Sequence, residues 1–100
     1  MDKIFKAMAD INRRKILTLL KNREMSVNEL LKNFGITQAT LSNHLSILRK
    51  AKLVENRILG KQRIYRLNIE PLETFIKNIN NFVGCLGNSN FSDIEIRTRK

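Results

Sequence analysis

Thr37-Gln38-Ala39-Thr40-Leu41-Ser42-Asn43-His44-Leu45-Ser46-Ile47-Leu48, read with the Gly35-Ile36 pair before it, decides the fold of this chain. On a wheel advancing about 100° per residue, Leu41, Leu45 and Leu48 fall on one side of a helix. Ala39, Ser42, Asn43, Ser46 and Lys50 project from the other. A face meant only for solvent would more often carry Glu and Lys pairs, which support an isolated helix. Short hydroxyls and amides instead let a backbone approach the edges of base pairs and hydrogen-bond to them. Thr37, whose hydroxyl can accept from free amides, caps this helix, which is expected to reach about Lys52.

Working outward, Ser26-Val27-Asn28-Glu29 is a capping box and opens a third helix expected to run to Phe34. Gly35 then stands where a left-handed residue usually ends a helix. Upstream, Ile4, Phe5 and Met8 recur at helical spacing and predict a short first helix over Asp2 to Ala9. Asp10 caps a second, from Ile11 to about Lys21, which turns Ile16, Leu17, Leu19 and Leu20 inward and carries Arg13, Arg14 and Lys15 near its start. Downstream the period changes to that of strands. Leu53 to Leu59 and Lys61 to Asn68, joined through Gly60, predict a two-stranded ribbon. Pro71 suits the first turn of a last helix, whose Leu72, Phe75, Ile76, Ile79, Phe82, Val83 and Leu86 form one long apolar stripe. Gly84, Gly87 and Asn88-Ser89-Asn90 end it, and the weak alternation through Ile94 and Ile96 reads as a mobile tail or an added edge strand.

The expected fold is therefore mainly α with a small antiparallel β-hairpin: a winged helix-turn-helix of five helices and a wing, over residues 1–87, followed by a tail, 88–100. Its chemistry is cationic. Lys and Arg number 19 against 9 Asp and Glu, a net +10, so a polyanion is the first partner to consider. Arg49 to Arg66 holds seven basic residues against Glu55 alone. That concentration points Arg57, Lys61, Gln62 and Arg63 of the ribbon at phosphate or the minor groove, although basic ribbons also serve merely to block edge pairing. No run of 18 apolar residues offers a membrane span, and no signal-peptide core follows Met1, so no membrane insertion and a cytoplasmic location are expected. One cysteine and one histidine cannot make an internal disulfide or a four-ligand zinc site. Nor do they furnish a nucleophile, base and orienting acid, and no enzyme is expected. Six aromatics without tryptophan leave little for stacking single-stranded bases. His44 is expected to be a packed residue with a backbone or phosphate hydrogen bond, and Cys85 an inert apolar one or a bridge at a dimer seam.

Taken together, Phe5-Lys6-Ala7, Ala9-Asp10, Arg13-Arg14-Lys15-Ile16-Leu17, the Thr37–Leu48 run, Leu53-Val54 and the wing residues Arg57, Gly60-Lys61, Tyr65 and Leu67 resemble the ArsR family of winged-helix repressors. The resemblance covers about residues 3 to 86; Ile11 departs from the family's frequent proline. It implies a homodimer paired through the first and last helices, here Ile4, Phe5, Met8, Phe75, Ile79, Phe82, Val83 and Leu86. It also implies a check on metal ligands. Where the family's arsenic and cadmium sensors carry two cysteines, this chain has Ser26 and Asn28. Where the zinc and cobalt sensors carry Asp and three His, it has Ile69, Pro71, Phe82 and Cys85. The chain thus looks closer to metal-independent, SdpR-like autorepressors, with no metal and no cofactor, and with a protein effector or none.

The reading is a sequence-specific regulator of double-stranded DNA, in which Thr37, Gln38, Ala39, Ser42, Asn43, Ser46 and Lys50 serve the major groove of an inverted-repeat operator and the wing its flank. The alternative is a winged-helix module docking on protein or RNA in a larger assembly, for which a more apolar face than Ala39, Ser42, Asn43 and Ser46 would be expected.

Overall fold

Residues 2–86 are described by a computed structural model; Gly87 and the tail 88–100 lie outside them. The chain runs α1 (Asp2–Met8), α2 (Ile11–Asn22), β1 (Met25–Ser26), α3 (Val27–Leu31), α4 (Gln38–Lys50), β2 (Val54–Leu59), β3 (Gln62–Leu67) and α5 (Glu70–Leu86). This is a winged helix-turn-helix, with α3 and α4 as the helix pair and β2 and β3 as the wing.

Short-range capping starts three of the helices. The Asp10 carboxylate accepts from the amides of Asn12 (2.8 Å) and Arg13 (3.3 Å). Burial raises its pKa, but these two amides and the charges nearby outweigh that and hold it below the usual aspartate value. At α3, Ser26 Oγ accepts from Glu29 N–H (3.1 Å) and Glu29 Oε1 accepts from Ser26 N–H (2.9 Å), closing the capping box. The Ser26 amide, then Arg23, keep the Glu29 carboxyl below the usual glutamate range. Thr37 Oγ1 accepts from Thr40 N–H (3.1 Å) at the start of α4.

The structure departs from the expected elements at five points. The ribbon is one part of a three-stranded antiparallel sheet in the order β1-β3-β2, because Met25 pairs with Tyr65 and Ser26 with Ile64. The third helix stops at Leu31 rather than Phe34. Gly35 does not adopt the left-handed conformation; that role falls to Lys52, at φ 63°. Consequently α4 ends at Lys50 and Leu53 belongs to its cap, not to a strand: Leu53 N–H donates to Leu48 C=O (3.0 Å) and Lys52 N–H to Arg49 C=O (2.9 Å). This is a Schellman closure, in which the fully buried Leu48 and Leu53 supply the apolar contact that offsets the strain of a left-handed lysine. The wing then pairs Val54 with Leu67 through Leu59 with Gln62, and Gly60, at φ 64°, turns it.

Leu41, Leu45 and Leu48 of α4 are buried against Ile16, Leu30, Leu53 and Val54, so the recognition helix is anchored by the same leucines that define its wheel. Each such side chain contributes about 1.5–3 kcal/mol by leaving water. By contrast α5, about 25 Å long at 1.5 Å per residue, buries none of its side chains; Leu72 alone among its residues packs on the core. Phe75 meets Phe5 of α1 edge to face at 4.8 Å between ring centroids. Ile4 and Met8 pack partly on the core, Ile79 and Val83 are half-buried, and Leu86 is exposed. Phe5 and Phe82 remain 53% and 58% exposed.

Candidate nucleic-acid interface

Much of the positive charge turns out to hold the scaffold together. Arg13 Nε donates to Ala7 C=O (2.8 Å) and Nη2 to Lys6 C=O (2.9 Å), while Arg14 Nη1 donates to Met8 C=O (2.6 Å). Two arginines of α2 thereby donate to the carbonyls of the last turn of α1, where the Ala9 amide also reaches Lys6 C=O (3.3 Å). The third Arg13 nitrogen reaches His44 Nδ1 at 3.2 Å. Arginine only donates, so Nδ1 is the acceptor in this contact. His44, 8% exposed, is accordingly a packed residue that ties α4 to α1 and α2. Lys15 Nζ donates to Asn33 C=O (2.7 Å) and lies 4.8 Å from the Phe34 ring centroid, pinning the turn between α3 and α4.

Three more cations are paired on the surface. Arg23 meets Glu29 at 3.0 Å, Arg66 meets Glu55 at 2.9 Å, and Arg57 meets Glu24. The hydrogen bond and charge of Glu55 raise the pKa of Arg66 above its ordinary value. Such half-exposed pairs are worth about 0–1 kcal/mol to stability. Their larger consequence is to withdraw Arg57 and Arg66 of the ribbon, whereas Arg49, Lys61 and Arg63, like Lys50 and Lys52, make no ion pair among the described residues.

Those three line one cleft of about 520 Å³ between α4 and the wing. Gln38, Ser42, Ser46 and Arg49 make one wall, a single stripe along α4. Lys61, Gln62, Arg63 and Tyr65 make the other, and Ser26, Val27 and Asn28 the floor. The walls are polar and cationic, and the helix wall is rigid because the opposite face of α4 is core.

Of the residues expected to meet nucleic acid, the cleft brings together Gln38, Ser42, Ser46, Lys61, Gln62 and Arg63. Ala39 and Asn43 are exposed on the crest of α4 beside that stripe. Thr37 stands at the helix start with its hydroxyl engaged by Thr40. Lys50 is elsewhere: it lines a hollow with Lys3, Ile4, Lys52 and Pro71, toward α1 and the start of α5. Arg57 lies with Glu55, Ile64 and Arg66 in a shallow hollow of the ribbon and is held by Glu24. Arg49 and Asn28 line the cleft as well, beyond the residues expected from the sequence. The wheel holds a signal for Arg49, which falls between Gln38 and Ser42 on it, whereas Asn28 reaches the cleft only through the pairing of β1 with β3. Among the described residues no three of His, Cys, Asp and Glu come together as metal ligands. At the positions of the family's thiolates, the Ser26 hydroxyl is committed to the α3 cap and Asn28 is an exposed amide, so this donor set does not fit a thiophilic metal. No helix of the described residues is long and apolar enough to cross a membrane.

Comparison with known proteins agrees with this geometry. The family model described as bacterial regulatory protein, arsR family, matches residues 10–56, from the cap of α2 into β2. The transcriptional repressor SdpR of Bacillus subtilis (strain 168) is 36% identical over 83 residues, 83% of this chain and 92% of that protein. An arsenical resistance operon repressor of Staphylococcus aureus is 38% identical over 77 residues, 77% of this chain and 74% of its own length. A crystal structure of a possible transcriptional regulator for arsenical resistance has a TM-score of 0.73 to this chain at 32% identity, covering 82% of this chain and 84% of its own.

Proposed function

The chain belongs to the ArsR family of bacterial transcriptional regulators, and from that premise we propose that it is a homodimeric repressor, in the manner of SdpR, that binds an inverted-repeat operator in double-stranded DNA. It acts in the cytoplasm, on promoters that include its own, and needs neither metal nor cofactor. The observation that carries this reading is the cleft between α4 and the wing, lined by Arg49, Lys61 and Arg63, which make no ion pair among the described residues. A single sugar-phosphate strand fits such a cleft, and α4 on one side of the strand then lies in the major groove. Gln38 and Asn43 are the amides suited to adenine, which offers a paired acceptor and donor on its groove edge. Arg49, Lys61 and Arg63 serve phosphates, which position the protein without reading sequence.

The dimer rests on α5. A helix of this length with an exposed apolar stripe and no buried side chain is stable when a second copy covers it, and Phe5 and Phe75 extend the stripe onto α1. Two-fold symmetry then requires half-sites about 10–11 base pairs apart, or a multiple of that. The test begins with duplexes selected by the protein from a randomised pool, followed by footprinting. Two symmetric protected half-sites are expected. Gln38→Ala or Asn43→Ala should lose about 1–3 kcal/mol on the selected site and little on random DNA. Arg63→Ala should weaken all sequences alike and lower the salt slope by about 0.9 for each phosphate it no longer neutralises. Protection of one asymmetric half-site, or wild-type binding by both amide variants, would remove α4 as the reading head and favour a module that docks on protein or RNA.

A further inference from the structure

The wing ends in an unusual way for a surface hairpin. Ile58 and Leu59, the last two residues of β2 before the Gly60 turn, are 68% and 61% exposed. Hairpin tips are ordinarily polar, because nothing there covers an aliphatic side chain. The pair is also closely surrounded by charge: Arg57 precedes it, Lys61 follows it, and Arg63 stands directly across the ladder from Ile58. An apolar point inside a cationic collar suits a surface that is anionic outside and apolar within.

Strand alternation assigns the two side chains to opposite faces of the ribbon. Ile58 shares its face with its cross-strand partner Arg63 and with Asn56 and Tyr65, and both Arg63 and Tyr65 line the cleft. Ile58 therefore continues the cleft wall outward, and Leu59, paired with Gln62, flanks it on the other side. In double-stranded DNA a phosphate strand has the major groove on one side and the minor groove on the other. With that strand in the cleft and α4 in the major groove, the wing tip lies at the minor groove. The groove is about 6 Å wide. Aliphatic side chains that enter it can wedge between base steps, unstack them and kink the duplex.

We infer that Ile58 and Leu59 form an apolar wedge that inserts into the DNA minor groove flanking each half-site and bends the duplex there. This rests on the DNA-binding reading above and adds a second source of specificity. The protein selects easily unstacked pyrimidine–purine steps, TA or CA/TG, at positions α4 does not touch, because those steps are the cheapest to open. Lys61 and Arg63 hold the phosphates on either side, and the apolar pair does the bending.

The test compares wild type with Ile58→Thr/Leu59→Thr, which keeps strand-compatible residues at two exposed positions and so leaves the fold intact, checked by circular dichroism. The probe is a duplex selected by the wild-type protein from a randomised pool. Binding is measured across a salt series, and bending by fluorescence transfer between the duplex ends. The wedge predicts about a tenfold loss of affinity in the double variant with the salt slope unchanged, since every phosphate keeps its cation. It also predicts a straighter duplex, and a similar loss for wild type when the flanking TA or CA step is replaced by an A-tract. Lys61→Ala should do the reverse, lowering the salt slope and keeping the bend. A double variant that binds and bends like wild type would overturn the wedge, as would a straight duplex in the wild-type complex. Loss of a higher oligomer instead of DNA affinity would make the tip a protein contact and also overturn it. If wild type selects no duplex at all, the DNA-binding reading falls and the wedge with it, whereas tight binding to unbent DNA refutes the wedge alone.

Discussion

Replacing Arg13 by alanine tests whether the basic start of α2 serves the scaffold rather than a ligand. Three donations disappear: to Lys6 C=O, Ala7 C=O and His44 Nδ1. Water replaces the first at little cost because that bond is exposed. The other two are partly buried, and charge-assisted bonds in such settings contribute about 1.5–3 kcal/mol each before the discount for partial exposure. His44, nearly buried, is also left with a ring nitrogen lacking its partner. A net loss of about 2–3 kcal/mol is expected, and at roughly 4–8 °C per kcal/mol for a domain of this size the melting temperature should fall by about 10–20 °C. Circular dichroism melts at fixed protomer concentration would measure it, since dimerisation makes the midpoint concentration-dependent. Arg13→Lys keeps the charge and one donation, so it should recover about half. A double-mutant cycle with His44→Ala should give a coupling of about 1 kcal/mol. Melting of Arg13→Ala within about 3 °C of wild type, or strict additivity with His44→Ala, would refute the link between α1 and the recognition helix.

Phe82→Glu should leave the buried core of the protomer untouched, because the ring is mostly exposed there, yet place an unpaired charge in the proposed seam; sedimentation at micromolar concentration should report monomer, and a persistent dimer would contradict the arrangement. Asp10 and Glu29 both titrate below their ordinary values, so the stability they supply is present above the unfolded values of about 3.9 and 4.3 and is lost as pH falls through the lower folded ones. Unfolding free energy should thus drop as pH falls below about 4, with a shallower acid limb in Asp10→Asn/Glu29→Gln; an unchanged limb would count against the caps as its source. Stoichiometric zinc, cadmium or arsenite should leave operator affinity within about twofold, and a tenfold loss, about 1.4 kcal/mol, would contradict the metal-independent reading.

Whatever neighbouring residues settle among themselves was legible in the chain alone. The caps at Asp10, Ser26 and Thr37 join partners no more than three residues apart, and the leucine wheel of α4 follows from helical geometry, so the helices that carry the interface can be read in order. The wing is legible for the same reason, since Gly60 joins strands that follow one another. Packing decided everything that depends on residues meeting from afar. The two-residue β1 is too short to signal itself and exists because β3, some forty residues later, offers it an edge. Arg13 meets His44 across 31 residues, and Arg57 meets Glu24 across 33, so a charge count could not separate cations committed to carbonyls and carboxylates from those left to the cleft. Even the end of α4 is of this kind: Lys52 accepts a left-handed backbone, which glycine would take more cheaply, because burial of Leu53 beside Leu48 outweighs the strain, and that burial is a property of the packed core rather than of any local motif.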